Sequence, residues 1–405
     1  MKTSMLAGLI AMLVFSLPAS AQDNPIGTIT QRISKLRGLE YEPIEVRLVT
    51  ERQVARRRRW YSEPGAAVKK KMLSQEIFLK QLGLMPPKST IAGIMDDILE
   101  SQTHSFYDPQ KNLLLVPKKQ TSRSSRQERR KTEANGLNYA QVTVAREIQH
   151  AIQDQHFRID WRPSITQTHD QTFATESVIK GDANLVMLGY ARATATNPQK
   201  DLVLALSRLG LETSALRRAP LYFQRAVIDP YVQGARFVGY LVDHSEGGLE
   251  TVNRALKWSP PSSEHIYHPE KYLRAGEQPR RIFLSRLPRQ LGPFKTQSDD
   301  VAGEFTVRVL AEEYNRDFAM AEGWRGDRYR SYSDGEYGFS IWLTSWDSKQ
   351  DAREFDTAMQ RILRRQTKIR GRNASTGIRR SIRSGKDVEV WLGVPKEYAS
   401  QIPRS

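Results

Sequence analysis

The sequence contains no cysteine. Disulfides are excluded, and so is an anchor built on a lipid-modified cysteine, so a packed core must hold the fold together. Long apolar runs are also missing. The one apolar stretch, residues 5–17, is too short to span a bilayer, and no second one follows. No Gly-x-Ser-x-Gly elbow occurs, which argues against a serine hydrolase, and there is no Gly-rich phosphate loop. Zinc-finger, RNA-binding-sheet and helix-turn-helix signatures are absent, so nucleic acid is not an expected partner. No internal repeat is visible.

What is present begins with an export signal over residues 1–21. Lys2 supplies the charged start, residues 5–17 the apolar stretch, and Ala19-Ser20-Ala21 a small-residue cleavage site. The expected location is periplasmic or extracellular. Formal net charge is +17, gathered at 56–59, 69–71, 123–131 and 361–386. Such clusters either form a solvated surface or favour anionic partners, such as an acidic envelope polymer or a membrane surface.

Along the chain, residues 23–42 read as a polar lead-in and 44–49 as a strand. Residues 68–82 and 90–101 read as helices, and 112–116 as a short apolar strand. The Ser- and Arg-rich stretch 121–135 reads as a charged loop. Further helices are expected over 171–190, 200–209, 220–228, 231–244, 249–257 and 303–314, with an extended loop over 259–272. After about residue 325 the period changes: 328–332, 339–346 and 388–394 read as strands around an amphipathic helix at 349–365. The expectation is an α+β, mainly helical chain, with a mostly helical part over 22–325 and a small strand-and-helix part with a basic tail over 326–405.

Residues 142–160 carry the chemistry. Val144, Ile148, Ala151 and Ile152 form an apolar helical stripe, while Arg146, Glu147 and His150 share another face at three- and four-residue spacing. This is the geometry of His-Glu-x-x-His, with Arg146 where the first His would stand. An arginine has no lone pair to offer a metal.

The surrounding text resembles a group of exported bacterial zinc metallopeptidases of the gluzincin type. The stretch from Glu147 to Phe157 is similar to the second part of their metal helix. Phe106-Tyr107-Asp108-Pro109, Lys180-Gly181-Asp182-Ala183, His268-Pro269-Glu270-Lys271-Tyr272 and Gly323-Trp324-Arg325-Gly326-Asp327-Arg328-Tyr329 match further motifs of the group, in the same order, over roughly residues 45–355. The resemblance implies a zincin-like fold, with the strand at 112–116 as the cleft edge and the helices at 142–157 and 171–190 crossing below it.

It also implies which residues depart from the pattern. The first zinc His is Arg146 here, and the third ligand, a Glu, falls at Lys180. His150 is the one remaining ligand and Glu147 a vestigial general base. At about 5 Å and an effective dielectric near 20, each cation would repel Zn²⁺ by roughly 6 kcal/mol. No metal or other cofactor is expected. Instead Arg146, Glu147, Lys180 and Glu176 are expected to form a salt-bridge cluster. A displaced metal set of His150, His156 and Glu176 is disfavoured, because the two histidines sit on different sides of a helix. His268 is a candidate for steadying a substrate carbonyl in the cleft, or else a turn histidine, and His244 and His265 are expected at the surface. Tyr107, Asp108, Trp324 and Asp327 are expected to hold turns.

These expectations favour an exported, metallopeptidase-like protein without catalysis, whose cleft binds a peptide or protein ligand. The alternatives are an active zinc peptidase with a rebuilt site, and an envelope protein that binds anionic polymers through its basic surface.

Overall fold

The computed structural model describes residues 25–119, 136–159, 166–194, 213–274, 277–315, 317–370 and 377–402, with residues 126, 129, 130 and 133 besides. The expected export signal, the helix at 200–209 and nearly all of the charged loop at 121–135 lie outside the described residues. Among those described, no helix is long and apolar enough to cross a membrane.

The chain is mixed α+β and mainly helical, with an antiparallel sheet toward its C-terminal end. The Tyr139–Phe157 helix starts at Asn138, whose side chain accepts the Gln141 N–H at 3.1 Å, and ends at Arg158 in the left-handed conformation. Its apolar stripe of Val144, Ala145, Ile148 and Ile152 packs against Leu114 and Val116 and against Ile29 and Ile33. The last two belong to a Pro25–Arg37 helix, where the sequence reads as a polar lead-in. That stretch has only a narrow apolar stripe, and its partner surface is more than a hundred residues away.

A three-stranded sheet covers the helix. Strand β1 (Glu45–Val49) runs parallel to β3 (Leu113–Pro117), which pairs antiparallel with β2 (Phe106–Asp108), in the order β1-β3-β2. The strand expected at the cleft edge, 112–116, is therefore the central one. All five β3 residues are buried, as a strand with neighbours on both sides requires, and the edge falls to the shorter β2.

Beneath lie two long helices, His169–Thr194 and Leu221–His244. They approach so closely at Gly181 and Gly234 that a Cβ on Gly181 would stand 2.1 Å from the Gly234 carbonyl carbon. Sequence reading breaks the second helix before Tyr231, but it runs through Pro230 without interruption. Burial of Pro230 and Tyr231 in this crossing outweighs the lost backbone hydrogen bond.

The second sheet has six antiparallel strands in the order β4-β5-β6-β7-β9-β8. They are β4 (Gln290–Leu291), β5 (Phe294–Asp300), β6 (Trp324–Ser333), β7 (Gly338–Trp346), β8 (Ile378–Ser384) and β9 (Asp387–Val394). It thus starts upstream of residue 325, and a boundary there would cut the chain at the first residues of β6. Polar β5, Phe-Lys-Thr-Gln-Ser-Asp-Asp, has no apolar alternation to announce it. The Ala66–Leu82 helix packs on the sheet, with Phe78 stacked on Tyr329 at 4.0 Å between centroids and edge-on to Trp342. One continuous core runs from Phe78 through Phe173 and Phe237 to Val390.

Candidate functional site

A cavity of about 880 Å³ opens between the Glu51–Tyr61, Ala66–Leu82 and Ile91–Ser101 helices on one side and β2 and the 139–157, 169–194 and 221–244 helices on the other. Glu147, His150, Glu176 and Lys180 all line it. Arg146 is fully buried just behind its wall. The fold therefore brings together the residues that the sequence singles out over 146–150 and 176–180.

Each is held by specific contacts. Glu147 accepts the Tyr107 backbone N–H through Oε2 at 2.9 Å, while its Oε1 lies 3.6 Å from Arg146 Nε. Lys180 Nζ lies 2.6 Å from Glu176 Oε2. The expected four-residue cluster takes the form of two ion pairs with a ring between them. The Tyr231 ring stands 5.2 Å from the Arg146 guanidinium and 5.5 Å from Lys180 Nζ. Burial lowers the Lys180 pKa, but Glu176 and Tyr231 together outweigh it and the net shift is upward.

His150 is fixed from behind. The Gln153 amide nitrogen donates to Asp182 and to the Ile179 carbonyl, so its Oε1 faces His150 Nδ1 at 2.9 Å. The imidazole thus carries its proton on Nδ1 and its lone pair on Nε2. Burial holds it neutral, pushing its pKa down to about 4. Asp182 also accepts from Arg37 and Gln149, each at 2.8 Å, which makes it the hub of the layer beneath the site.

A third cation completes the arrangement, and sequence reading assigns it only to a charge run. Arg58, on the Glu51–Tyr61 helix, is 9 % exposed and lines the cavity. Its Nη2 donates to the Ser105 carbonyl at 3.1 Å and stands 3.2 Å from Nε2 of buried His104. Burial lowers its pKa, opposed by Glu147. Burial also pushes His104 well below the usual histidine range, helped by Arg58, Arg146 and His150. The helix was legible in principle: Thr50 and Gln53 form a capping box, and Val54, Ala55 and Arg58 share one face.

This donor set does not fit zinc. Beside Arg58, Arg146 and Lys180 the donors are His150 and Glu147, with Glu176 taken up by Lys180, and among the described residues they form no group with metal-ligand spacing, whereas catalytic zinc sites use three protein ligands and one open position. His169 also lines the cavity, its Nε2 3.3 Å from Tyr222 Oη, and His104 stands at Arg58, while the remaining histidines lie elsewhere. His156 is exposed and contacts the Glu40 carbonyl at 2.7 Å. His244 is exposed, as expected, but His265 is buried, with its ring nitrogens at Ser262 Oγ and the Glu277 carbonyl. The short helix Ser263–Tyr267, in place of the expected extended loop, turns it inward.

His268 does not line the cavity. Its Nε2 lies 2.9 Å from Glu304 and 4.0 Å from Glu322. Among the described residues, His268, Glu304 and Glu322 are the one group with metal-ligand spacing. Arg308, however, donates to both carboxylates, at 2.6 and 3.0 Å, and places its own positive charge there. Tyr107, Asp108, Trp324 and Asp327 anchor local structure. Tyr107 Oη reaches Asp154 at 2.9 Å and Asp108 pairs with Arg57. Asp327 accepts the N–H groups of Ala302 and Gly303, both at 2.8 Å, and of Trp324 Nε1.

Asp327 belongs to a buried acid layer with a consequence for pH. Burial, and then repulsion from Asp327 and Glu264, pushes Asp170 up to about 8; burial, and then repulsion from Glu304 and Asp347, pushes Glu264 up to about 7; and burial pushes Asp327 up to about 6. The folded protein therefore holds protons that the unfolded chain releases at ordinary carboxylate pKa values, so stability falls as pH rises from about 4 to 8. His150 acts in the opposite sense, adding stability between about 4 and 6.5. These groups should lower the melting temperature most clearly between about pH 6.5 and 8, where His150 no longer opposes the acids. Asp170→Asn should flatten the alkaline fall, and an unchanged slope in thermal melts would remove Asp170 as its source.

Comparison with known proteins adds one match. Residues 289–398 match the family model of a domain of unknown function, DUF8575. No curated protein and no solved structure matches the chain.

Proposed function

We propose that this protein is a zincin-like relative of the exported zinc metallopeptidases that has lost its metal and its catalysis, and that keeps its cavity as a binding site. The observation that carries the reading is the set of three cations, buried Arg58 and Arg146 and half-buried Lys180, near Glu147. Two of them occupy positions where the resemblance implies zinc ligands.

The zincin likeness is supported by the edge strand β2 lying along the helix that carries Glu147 and His150, with the 169–194 helix packed below. A rebuilt metal site has less support. The one described group with ligand spacing lies at His268 and is bridged by Arg308. Export is supported by the signal pattern of residues 1–21.

Without a metal, Glu147 has no Lewis acid beside it, and its carboxylate is engaged by Tyr107 and Arg146. It serves to hold the edge strand to the helix and to offset the neighbouring positive charge. Elemental analysis of protein purified from zinc-supplemented medium without chelators tests the reading. Zinc should be far below one atom per chain, with no chelator-sensitive peptide hydrolysis. Near-stoichiometric zinc removable by chelator would overturn it.

A further inference from the structure

The cavity wall mixes apolar and charged side chains, with Lys71, His169 and Asp300 among its polar groups. Met72, Met95, Leu99, Phe106, Phe223 and Val227 line it with apolar surface, and Arg58, Glu147, His150 and Lys180 contribute further charged and polar groups. Its volume lies within the range of small-molecule sites.

Arg58 stands out among its cations, since Arg56, which also lines the cavity, is exposed to solvent. Lys180 has Glu176, Arg146 has Glu147, Lys71 has Asp300, and Arg59 has Asp96 and Glu100. Among the described residues, no carboxylate lies within ion-pair distance of Arg58, and its buried Nε has no hydrogen-bond partner. Its guanidinium is held over the Phe106 ring at 4.7 Å by the Ser105 carbonyl and His104. A buried guanidinium with no carboxylate in direct contact is costly, and an incoming anion would relieve that cost.

The edge strand indicates what the ligand is not. An extended peptide would bind by adding a strand to β2. The Tyr107 N–H there already donates to Glu147, and the Ser105 carbonyl already accepts from Arg58. A ligand recognised by one charged end and by apolar contact along its body needs neither group.

We propose that the cavity binds an amphiphile with a carboxylate head and a hydrocarbon body, a long-chain carboxylic acid, with its head at Arg58 and its chain along Met72, Met95, Leu99 and Phe223. The inference rests on the reading of the cavity as a binding site. The metal analysis above is independent of it, so the two can fail separately.

Calorimetric titration with dodecanoate and with dodecanol, below their aggregation concentrations, tests it on the wild-type protein. Dodecanoate should bind at least about tenfold more tightly, since a hydrogen bond to a charged group is worth about 1.5–3 kcal/mol. Arg58→Gln should remove that preference while leaving dodecanol binding within about twofold, which also reports that the variant is folded. Arg47→Gln, the same charge change at an exposed strand position, should leave the preference intact. Equal affinity for acid and alcohol, binding of neither, or tighter binding of an acidic peptide than of dodecanoate would overturn the proposal.

Discussion

The double substitution Arg146→His with Lys180→Glu should turn the protein into a stoichiometric zinc binder. It supplies two donors and removes two cations at once. The new imidazole would stand one helical turn from His150, as two histidines on a metal helix must. His150 is already prepared, because Gln153 and Asp182 fix its proton on Nδ1. Three protein ligands and a water complete a tetrahedral site. The expected gain is about 8 kcal/mol or more, a micromolar or tighter dissociation constant, against no measurable binding in the wild type. Either single variant keeps one of the two cations and should bind at least about a hundredfold more weakly than the double. Arg58 remains in all of them, so adding Arg58→Gln to the double variant should tighten zinc further. A folded double variant that takes up no zinc, as judged by circular dichroism and elemental analysis, would sink the assignment of these positions.

Loss of the Asp182 carboxylate should be the most damaging single change in the layer beneath the site. Asp182 and Arg37 are both buried and lie 2.8 Å apart. Asp182 also accepts from Gln149 and Gln153, so Asp182→Ala takes one hydrogen-bond partner each from a buried guanidinium and two buried amides, leaving Arg37 only Asn253 and Gln153 only the Ile179 carbonyl among these bonds. Removing one partner of a buried ion pair costs about 3–5 kcal/mol. The effect should extend to the cavity, because Gln153 would no longer be locked and His150 would lose its fixed tautomer. The control is Glu176→Gln. Its pair with Lys180 is equally short, but the Glu176 side chain is 41 % exposed, so the loss should be below about 1 kcal/mol. Urea denaturation of both variants checks the ranking. A cost for Asp182→Ala below that of Glu176→Gln would show that this layer does not carry the site.

Much of the fold is visible as periodicity. The 66–82, 139–157, 169–194 and 349–370 helices and the strands β6, β7 and β9 announce themselves in the spacing of their apolar residues, although 142–153, 181–188 and most of β9 are buried all round. The missed elements share a different cause. The Glu51–Tyr61 helix is hidden by its run of arginines, and the Pro25–Arg37 helix has little apolar surface of its own. Polar β5 and basic β8 are strands because their neighbours pair with them. Pro230 reads as a helix end and is carried through one by the crossing at Gly181 and Gly234. His265 and His268, three residues apart, end in a buried hydrogen-bonded pocket and an acidic cluster respectively, and no local pattern distinguishes them.

Arg146, Glu147 and His150 share a helix face because 3.6 residues make a turn, and this holds wherever the helix packs. The presence of arginine and lysine at positions where the resemblance implies metal ligands is likewise legible in the chain alone. The cavity, the Tyr231 ring between two cations, and the arrival of Arg58 beside His104 depend on helices that meet only when the whole core closes. A side chain's charge is written in its residue type, but whether that charge finds a counter-ion or stays buried without one depends on what the folded chain brings beside it. For Arg58 the fold supplies a carbonyl, an imidazole and an aromatic face, and no carboxylate within ion-pair distance among the described residues.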